Sequence, residues 1–194
     1  MRRTRAALSG LVCAFAAVAT PAAAFTAIDP LTRQPLYSTE ESARAQASPI
    51  PREIVAFDGR HAPGTIVVST AERRLYYVLG DGKAVRYGVG VGRPGFQWGG
   101  AHSVTMKREW PDWRPPAAML KRRPDLPRHM AGGPENPLGA RALYIGSTIY
   151  RIHGSNEPET IGEAVSSGCI RMTNEDVTDL YSRAKVGARV VVQR

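Results

Sequence analysis

The residues best suited to chemistry in this sequence are a histidine and a cysteine sixteen positions apart, His153 and Cys169. A cysteine attacks as its thiolate, and a nearby imidazole can accept the thiol proton and stabilise the resulting ion pair. Sixteen residues are too many for neighbouring positions on one helix, but they allow one strand to end, a loop to cross and a second element to begin. The spacing therefore predicts a nucleophile and a base that meet in space.

The residues around Cys169 help to distinguish a reactive thiol from a structural one. A free cysteine is often simply a small buried hydrophobic residue. Here Ser166 and Ser167 precede Gly168, whose missing side chain lets the backbone approach a substrate closely. The cation Arg171 follows two positions after the cysteine. A core position requires none of these features, so the pattern favours a nucleophile.

The first 24 residues have the organisation of an export signal. A basic start at residues 1–5 precedes an apolar run from Ala6 to Val18 and a small-residue stretch that ends at Ala24. We predict a signal peptide over 1–24, with cleavage after Ala24. The alternative is an uncleaved anchor, for which the apolar run is short. An exported protein of the periplasm or cell envelope is therefore expected.

Removal of such a signal changes both the cysteine count and the charge. Cys13 leaves with it, so Cys169 becomes the single thiol of the mature chain and neither an internal disulfide nor a cysteine-based zinc cluster is expected. The loss of Arg2, Arg3 and Arg5 lowers the formal net charge from +9 to +6. Such a basic protein can be attracted to anionic polymers or acidic substrates. Basic and aromatic residues are not interleaved, so no nucleic-acid partner is predicted.

The rest of the chain divides into a lead-in and one domain. Residues 25–52 contain four prolines and little periodicity, which predicts a flexible N-terminal segment, and the ordered domain is expected over 53–194. Runs of β-branched and aromatic residues predict strands at 54–57, 65–69, 74–79, 84–91, 101–107, 141–145, 148–152 and 189–193. A turn at Gly80–Gly82 predicts a hairpin, and Thr173 is placed to cap a helix from 174 to about 185.

A proline-rich stretch over 108–140 interrupts these elements. It contains seven prolines, two tryptophans and several cations, with one short helix predicted over 117–122. A loop of this length is either a lid over a site or a wrap packed on the sheet, and both can be true of one loop.

Two alternative kinds of site find no support in the sequence. Gly88, Gly90 and Gly92 do not follow the dinucleotide-binding pattern, and the Arg93–Gly95 stretch follows them where a helix would be needed. The remaining histidines have no metal-ligand spacing, so neither a metal nor a cofactor is predicted.

Three motifs in chain order resemble the L,D-transpeptidase catalytic domain of the YkuD type. They are His153-Gly-Ser-Asn156, Thr160-Ile-Gly162 and Ser166-Ser-Gly-Cys-Ile-Arg-Met172. The upstream stretches 88–96 and 134–144 also resemble it, and the likeness covers about 53–193. Many members have a histidine in place of Ser167 and an asparagine in place of Arg171, so a role tied to that second histidine is not carried over.

The resemblance implies a mainly β fold, a β-sandwich with one short helix after the cysteine and a long proline-rich loop. It also implies that peptidoglycan stem peptides are the substrate. Cys169 would attack the carbonyl of the third stem residue, usually meso-diaminopimelate, and expel the terminal D-alanine. An amine of another stem would then take the thioester and give a 3→3 cross-link. His153 would act first as base and then as acid.

The resemblance also suggests roles for the neighbouring residues. A backbone carbonyl, here that of Gly154, would hold the histidine ring, and the N–H groups of Gly168 and Cys169 are candidates for the oxyanion hole. The candidate substrate contacts are Ser166, Ser167 and Arg171. Arg171 would pair with a substrate carboxylate or else form a structural salt bridge. The implied enzyme is a monomer that serves cell-wall organisation and cell shape.

Other functions remain open at this level. Water as acceptor would make the protein an L,D-carboxypeptidase, and a lysine of an outer-membrane protein would make it an anchoring enzyme. Acceptor choice depends on the shape of the pocket and on water exclusion. A non-catalytic wall-binding module is the alternative from another class, although a binding module needs no thiolate.

Overall fold

The computed structural model describes residues 47–58 and 60–194. The predicted signal peptide at 1–24 and most of the predicted segment at 25–52 lie outside the described residues, so both stay predictions. Residues 47–52 are described and lie against the domain: Arg52 Nη1 is 3.3 Å from an Asp176 carboxylate oxygen. The predicted domain start at 53 likewise stays a prediction. Among the described residues, no helix is long and apolar enough to cross a membrane.

The described chain forms eleven strands, two α-helices and one 3₁₀ turn. The strands are β1 Glu53–Ala56, β2 Ile66–Ser69, β3 Arg74–Gly80, β4 Lys83–Gly88, β5 Val91–Gly92, β6 Gly100–Glu109, β7 Arg141–Ile145, β8 Arg151–His153, β9 Ala164–Ser166, β10 Ile170–Arg171 and β11 Arg189–Gln193. The helices are α1 Ala117–Arg122 and α2 Asn174–Arg183, and the 3₁₀ turn is Pro158–Thr160. The predicted mainly β fold, with one helix following the cysteine, is confirmed.

One long strand, β6, joins two groups of strands. Nine strands are hydrogen-bonded in the order β1-β4-β3-β2-β11-β6-β7-β8-β10, and β5 pairs with β9 in a separate two-stranded sheet. The first part of β6 pairs with β11 and the second part with β7, with an irregular register between Val104 and Met106. Most pairs are antiparallel, but β2–β11, β8–β10 and β5–β9 are parallel.

A single hydrophobic core lies between these strands and α2. It includes Ile66 and Leu75 from one group of strands, Leu143 and Ile152 from the other, and Leu180 from α2. All five side chains are fully buried. Because one core serves both groups of strands, the strand that carries the histidine is fixed against most of the domain.

Helix α2 begins where its cap was predicted. The Thr173 hydroxyl accepts a hydrogen bond from the Asp176 N–H at 3.2 Å, and Glu175 and Asp176 lie in the first turn. The helix ends at Arg183 rather than near 185. Lys107 Nζ donates to the carbonyl oxygens of Tyr181 and Ala184, at 2.6 and 2.7 Å, and so satisfies the terminal carbonyls.

Two strand predictions were wrong in their boundaries. The run predicted as one strand over 84–91 is divided at Val89, because β5 leaves the large sheet to pair with β9. The strand predicted over 148–152 begins only at Arg151. Thr148 Oγ1 donates to the Ile145 carbonyl at 2.6 Å and accepts from the Tyr150 N–H at 3.1 Å, so a side chain takes the place of the sheet partners.

Candidate active site

Two adjacent parallel strands carry the histidine and the cysteine to one place. His153 is the last residue of β8, and Cys169 immediately precedes β10. Ile170 pairs with Ile152 and Arg171 with His153, so the two strands run side by side into the site. Both candidate side chains line a cavity of about 380 Å³. The predicted nucleophile and base are therefore brought together by strand pairing.

The His153 ring is held in a defined orientation. It is 4% exposed, and its Nδ1 lies 2.5 Å from the Gly154 carbonyl oxygen. A carbonyl only accepts, so Nδ1 carries the ring proton and Nε2 is left as a proton acceptor. The Gly154 N–H donates to the Arg141 carbonyl at 3.0 Å, which fixes this residue in turn. Gly154 thus occupies the position in which the family resemblance expected a ring-holding carbonyl.

Burial favours the neutral forms of both titratable groups. It lowers the pKa of His153 to about 3, against the effect of the Gly154 carbonyl, and the charges of Arg171 and Arg151 add to the lowering. Burial also raises the pKa of the Cys169 thiol, although the N–H and guanidinium of Arg151 favour the thiolate. The sequence led us to expect a thiolate–imidazolium pair, whereas these pKa directions favour a neutral pair at rest.

Ser166 shapes the loop that presents the cysteine. Its hydroxyl donates to the Cys169 carbonyl at 2.6 Å and accepts from the Gly168 N–H at 3.0 Å. The single hydroxyl proton is therefore used within the loop, which argues against the predicted substrate contact. The Gly168 N–H is engaged as well, which argues against its place in an oxyanion hole. The Cys169 N–H makes no hydrogen bond to any residue that the structure describes.

An aromatic pair that was not predicted from the sequence supports this loop from behind. The rings of Trp98 and Tyr150 are stacked with their centres 4.4 Å apart, and the indole N–H donates to the Gly168 carbonyl at 2.6 Å. Gly168 has φ +109°, and a Cβ there would lie 2.4 Å from a Tyr150 ring carbon. Only glycine fits this contact and this backbone conformation.

A second support connects the cysteine loop to the long loop. The Ser167 hydroxyl accepts from Arg93 Nη1 at 3.5 Å, and the Arg93 guanidinium lies 4.3 Å from the centre of the Phe96 ring. Arg122, at the end of α1, lies 5.2 Å from the centre of the same ring. Ser167 also lines the cavity, so its predicted substrate contact stays open.

Arg171 already has a partner within the protein. Its Nη1 lies 2.8 Å from a carboxylate oxygen of Glu157, and both residues line the cavity. Its backbone is fixed by two hydrogen bonds with Gly90, each 2.9 Å. Of the two predicted alternatives, the structure contains the salt bridge. Because Glu157 is about half exposed, this ion pair is weak enough for a substrate carboxylate to compete.

The proline-rich stretch forms the outer wall of the cavity. Its wall residues are Trp113, Pro116, Met119, Arg123, Leu126, Pro127, Met130, Glu135, Pro137 and Leu138. Buried Asn136 holds the stretch together by donating to the carbonyls of Pro111, Met130 and Ala131, at 2.9–3.2 Å. The prediction of α1 is confirmed. Trp113 lines the cavity, whereas Trp110 is 44% exposed.

The chain belongs to the family described as the L,D-transpeptidase catalytic domain (YkuD), whose family model matches residues 63–192. The Probable L,D-transpeptidase ErfK/SrfK of Escherichia coli K12 is 40% identical over 136 residues, covering 66% of this chain and 43% of that protein. The chain spans about half the length of the curated relatives it matches. The family resemblance expected from the motifs is confirmed.

Solved structures share the fold. A Brucella melitensis crystal structure, described as a probable carnitine operon oxidoreductase, is 43% identical with a TM-score of 0.52, covering 76% of this chain and 96% of that chain. L,D-transpeptidase 3 of Mycobacterium tuberculosis, in complex with a faropenem-derived adduct, is 20% identical with a TM-score of 0.55. That match covers 67% of this chain and 60% of that chain, and it bears on the fold alone.

Proposed function

We propose that this protein is a peptidoglycan L,D-transpeptidase that works through a thioester on Cys169. The observation that carries the proposal is the shared cavity of Cys169 and His153, together with the Gly154 carbonyl on Nδ1, which leaves Nε2 as the proton acceptor. Membership of the family supports the same reaction. His153 and Cys169 are the catalytic residues of this proposal, and Gly154 positions the histidine.

The first half-reaction forms the acyl-enzyme. His153 Nε2 takes the thiol proton as the Cys169 sulfur attacks the carbonyl carbon of the third stem residue. The peptide bond to the terminal D-alanine breaks, and the imidazolium returns that proton to the leaving amine. Because burial favours the neutral forms of both His153 and Cys169, the thiol proton moves to the imidazole as the sulfur attacks.

The second half-reaction releases the thioester to an amine. The amine of another stem attacks the thioester carbonyl, the carbon–sulfur bond breaks, and His153 passes the amine proton to the sulfur. The product is a 3→3 cross-link. The Cys169 N–H is the better of the two predicted oxyanion donors, because the Gly168 N–H is bonded to Ser166.

Other acceptors fit the same chemistry of Cys169. Water would give an L,D-carboxypeptidase, and a protein lysine would give an anchoring enzyme, so both are outcomes of the test below. A wall-binding module is less well supported, because a binding surface requires neither a cysteine in the cavity nor an oriented imidazole. We propose export to the periplasm or cell envelope, with 1–24 as the signal, 25–52 as the lead-in and 53–194 as a monomeric catalytic domain.

An oxidoreductase is the class suggested by the description of the Brucella melitensis structure. The glycine-rich stretch that would bind a dinucleotide lies across β4 and β5, and α1 begins only at Ala117. A dinucleotide loop places its phosphates at the N-terminus of the helix that follows directly. The arrangement around the glycines therefore favours close strand packing over nucleotide binding.

Intact-protein mass spectrometry tests the proposal. The chain is incubated with a disaccharide-tetrapeptide and, separately, with faropenem, and adducts are mapped by proteolysis. We expect an adduct on Cys169, release of D-alanine and a cross-linked dimer, all absent from Cys169→Ala of unchanged thermal stability. D-Alanine release without dimer indicates water or a protein as acceptor. A folded protein that forms neither adduct nor product contradicts the enzymatic proposal.

A further inference from the structure

Arg151 is a cation beside the nucleophile with no assigned role. It begins β8, two residues before His153, and its side chain lines the same cavity as Cys169. Its guanidinium carbon lies 5.0 Å from the centre of the ring of Tyr144, its cross-strand partner on β7. Its Nε is buried and lacks a hydrogen-bond partner in the described part of the chain. A buried donor of this kind is costly unless a ligand satisfies it.

The other two arginines that line the cavity already have carboxylate partners. Arg171 is paired with Glu157 at 2.8 Å, and Arg123 with Asp125 at 2.6 Å. Arg151 forms no salt bridge with any of residues 47–58 and 60–194. Arg151 is therefore the lining arginine that is best placed to take an anionic group from a substrate.

Arg151 also lies close to the sulfur. By the register of β8 and β10, Cys169 falls one position before the Ile170–Ile152 pair, beside Arg151. Both the backbone N–H and the guanidinium of Arg151 are near enough to the thiol to favour the thiolate. An anion held by this guanidinium would thus lie near the carbon that the sulfur attacks.

We propose that Arg151 binds the free carboxylate of the leaving residue, so that the site selects donor peptides that end one residue after the attacked carbonyl. The inference rests on the proposed acyl transfer at Cys169. One residue spans about 3.8 Å between Cα atoms, so the terminal carboxylate of such a donor lies close to the attacked carbonyl, in the cavity that Cys169 and Arg151 both line. The guanidinium fork pairs with a carboxylate through two parallel hydrogen bonds, a geometry that lysine cannot reproduce. A longer donor would place a neutral peptide group there.

The test compares two donors that differ only in charge at the terminus, a tetrapeptide ending in D-alanine and the same peptide ending in D-alaninamide. The measured quantity is the ratio of kcat/KM for acyl-enzyme formation with the acid to that with the amide. We expect the native protein to prefer the acid by at least about tenfold. Arg151→Met should bring the ratio close to one, and Arg151→Lys should retain part of the preference.

Arg123→Met is the matched control, because it removes a lining arginine that already has a carboxylate partner. It should keep the native ratio. A native ratio near one, or a ratio unchanged in Arg151→Met, overturns the inference. A purely structural role for Arg151 would slow both donors equally and leave the ratio unchanged, so it also counts against the inference.

A second measurement separates this inference from the proposed function. Cys169 is labelled with iodoacetamide, a neutral reagent, in the presence of N-acetyl-D-alanine or its amide. The acid should slow labelling of the native protein but not of Arg151→Met, and the amide should slow neither. If the native protein never turns over a tetrapeptide, the proposed function fails, and this protection pattern alone decides the role of Arg151. Equal protection by acid and amide overturns it.

Discussion

Replacing Gly168 by alanine tests how the loop that presents Cys169 is supported. The new Cβ would lie 2.4 Å from a Tyr150 ring carbon, in a residue with φ +109°. The Tyr150 ring cannot retreat freely, because Trp98 is stacked on it at 4.4 Å. The substitution therefore combines backbone strain with overpacking of an aromatic pair. It changes no group that is proposed to react.

The effect of backbone strain on stability can be separated from that of overpacking by substituting a second glycine. Gly187 has φ +90°, and a Cβ there would meet nothing within 4 Å, so Gly187→Ala carries the backbone strain alone. Strain of this kind costs about 1–3 kcal/mol, and overpacking adds about 1–3 kcal/mol. Gly168→Ala should thus be less stable than Gly187→Ala by about 1–3 kcal/mol. For a domain of this size, that difference lowers Tm by a further 2–12 °C or so.

Thermal unfolding and the rate of Cys169 acylation are the two measurements. Gly187→Ala should acylate at the native rate, since Gly187 lies in the turn before β11. Gly168→Ala should acylate at least about tenfold more slowly, because a nucleophile displaced by 1 Å loses up to about a hundredfold. Equal Tm values for the two variants would show that the Trp98–Tyr150 pair does not resist the added Cβ. Native acylation in a destabilised Gly168→Ala would show that this support does not position the sulfur.

Three further predictions concern the histidine, the indole and the long loop. Burial keeps His153 neutral in the folded state, with a pKa of about 3 against 6.5 in the unfolded chain. The contribution of this group to the free energy of unfolding is therefore fully present above pH 6.5 and is lost as the pH drops towards 3. From pH 7.5 to 5.0, the free energy of unfolding measured in urea should fall by about 2 kcal/mol more for the native protein than for His153→Gln. Parallel pH profiles for the two proteins would contradict this. Trp98→Phe keeps an aromatic ring at this position but removes the indole N–H that donates to the Gly168 carbonyl. Thermal unfolding should show a free energy of unfolding that is lower by about 1–2 kcal/mol, and an unchanged value would contradict this. Asn136→Asp keeps the shape of the side chain but removes the amide group that donates to three carbonyls. Limited proteolysis within 111–138 should therefore accelerate while cleavage elsewhere stays constant. Native resistance to proteolysis in this variant would indicate that other contacts hold the loop.

The fold class and most of the strands could be predicted from the amino-acid sequence alone. Alternation and β-branched runs gave β2, β3, β6, β7 and β11, and the cap at Thr173 gave the start of α2. These signals are local, because each depends on residues that are neighbours along the chain. The same local character explains why β9 and β10 were not predicted. β9 has three residues and β10 has two, and such short strands show no periodic pattern.

The pair of His153 and Cys169 could also be found from residue types, because a single mature cysteine with a histidine elsewhere in the chain is a candidate nucleophile. The sequence also predicted that the two residues meet in space, because one strand can end and a second element begin between them. What the sequence could not give was the pairing of β8 with β10, since parallel register depends on contacts between distant residues.

The roles of the groups around this pair depend on tertiary contacts that residue types and spacing do not specify. Arg171 is paired because Glu157 lies 2.8 Å away, whereas Arg151 Nε has no hydrogen-bond partner in the described part of the chain. The spacing of these residues along the sequence does not specify either arrangement. The support of Gly168 by Trp98 joins residues seventy positions apart. The protonation states of His153 and Cys169 depend on burial, which arises only when the whole core has formed. Residue types thus specify which chemistry is available, whereas packing specifies which groups are free, neutral and aligned to perform it.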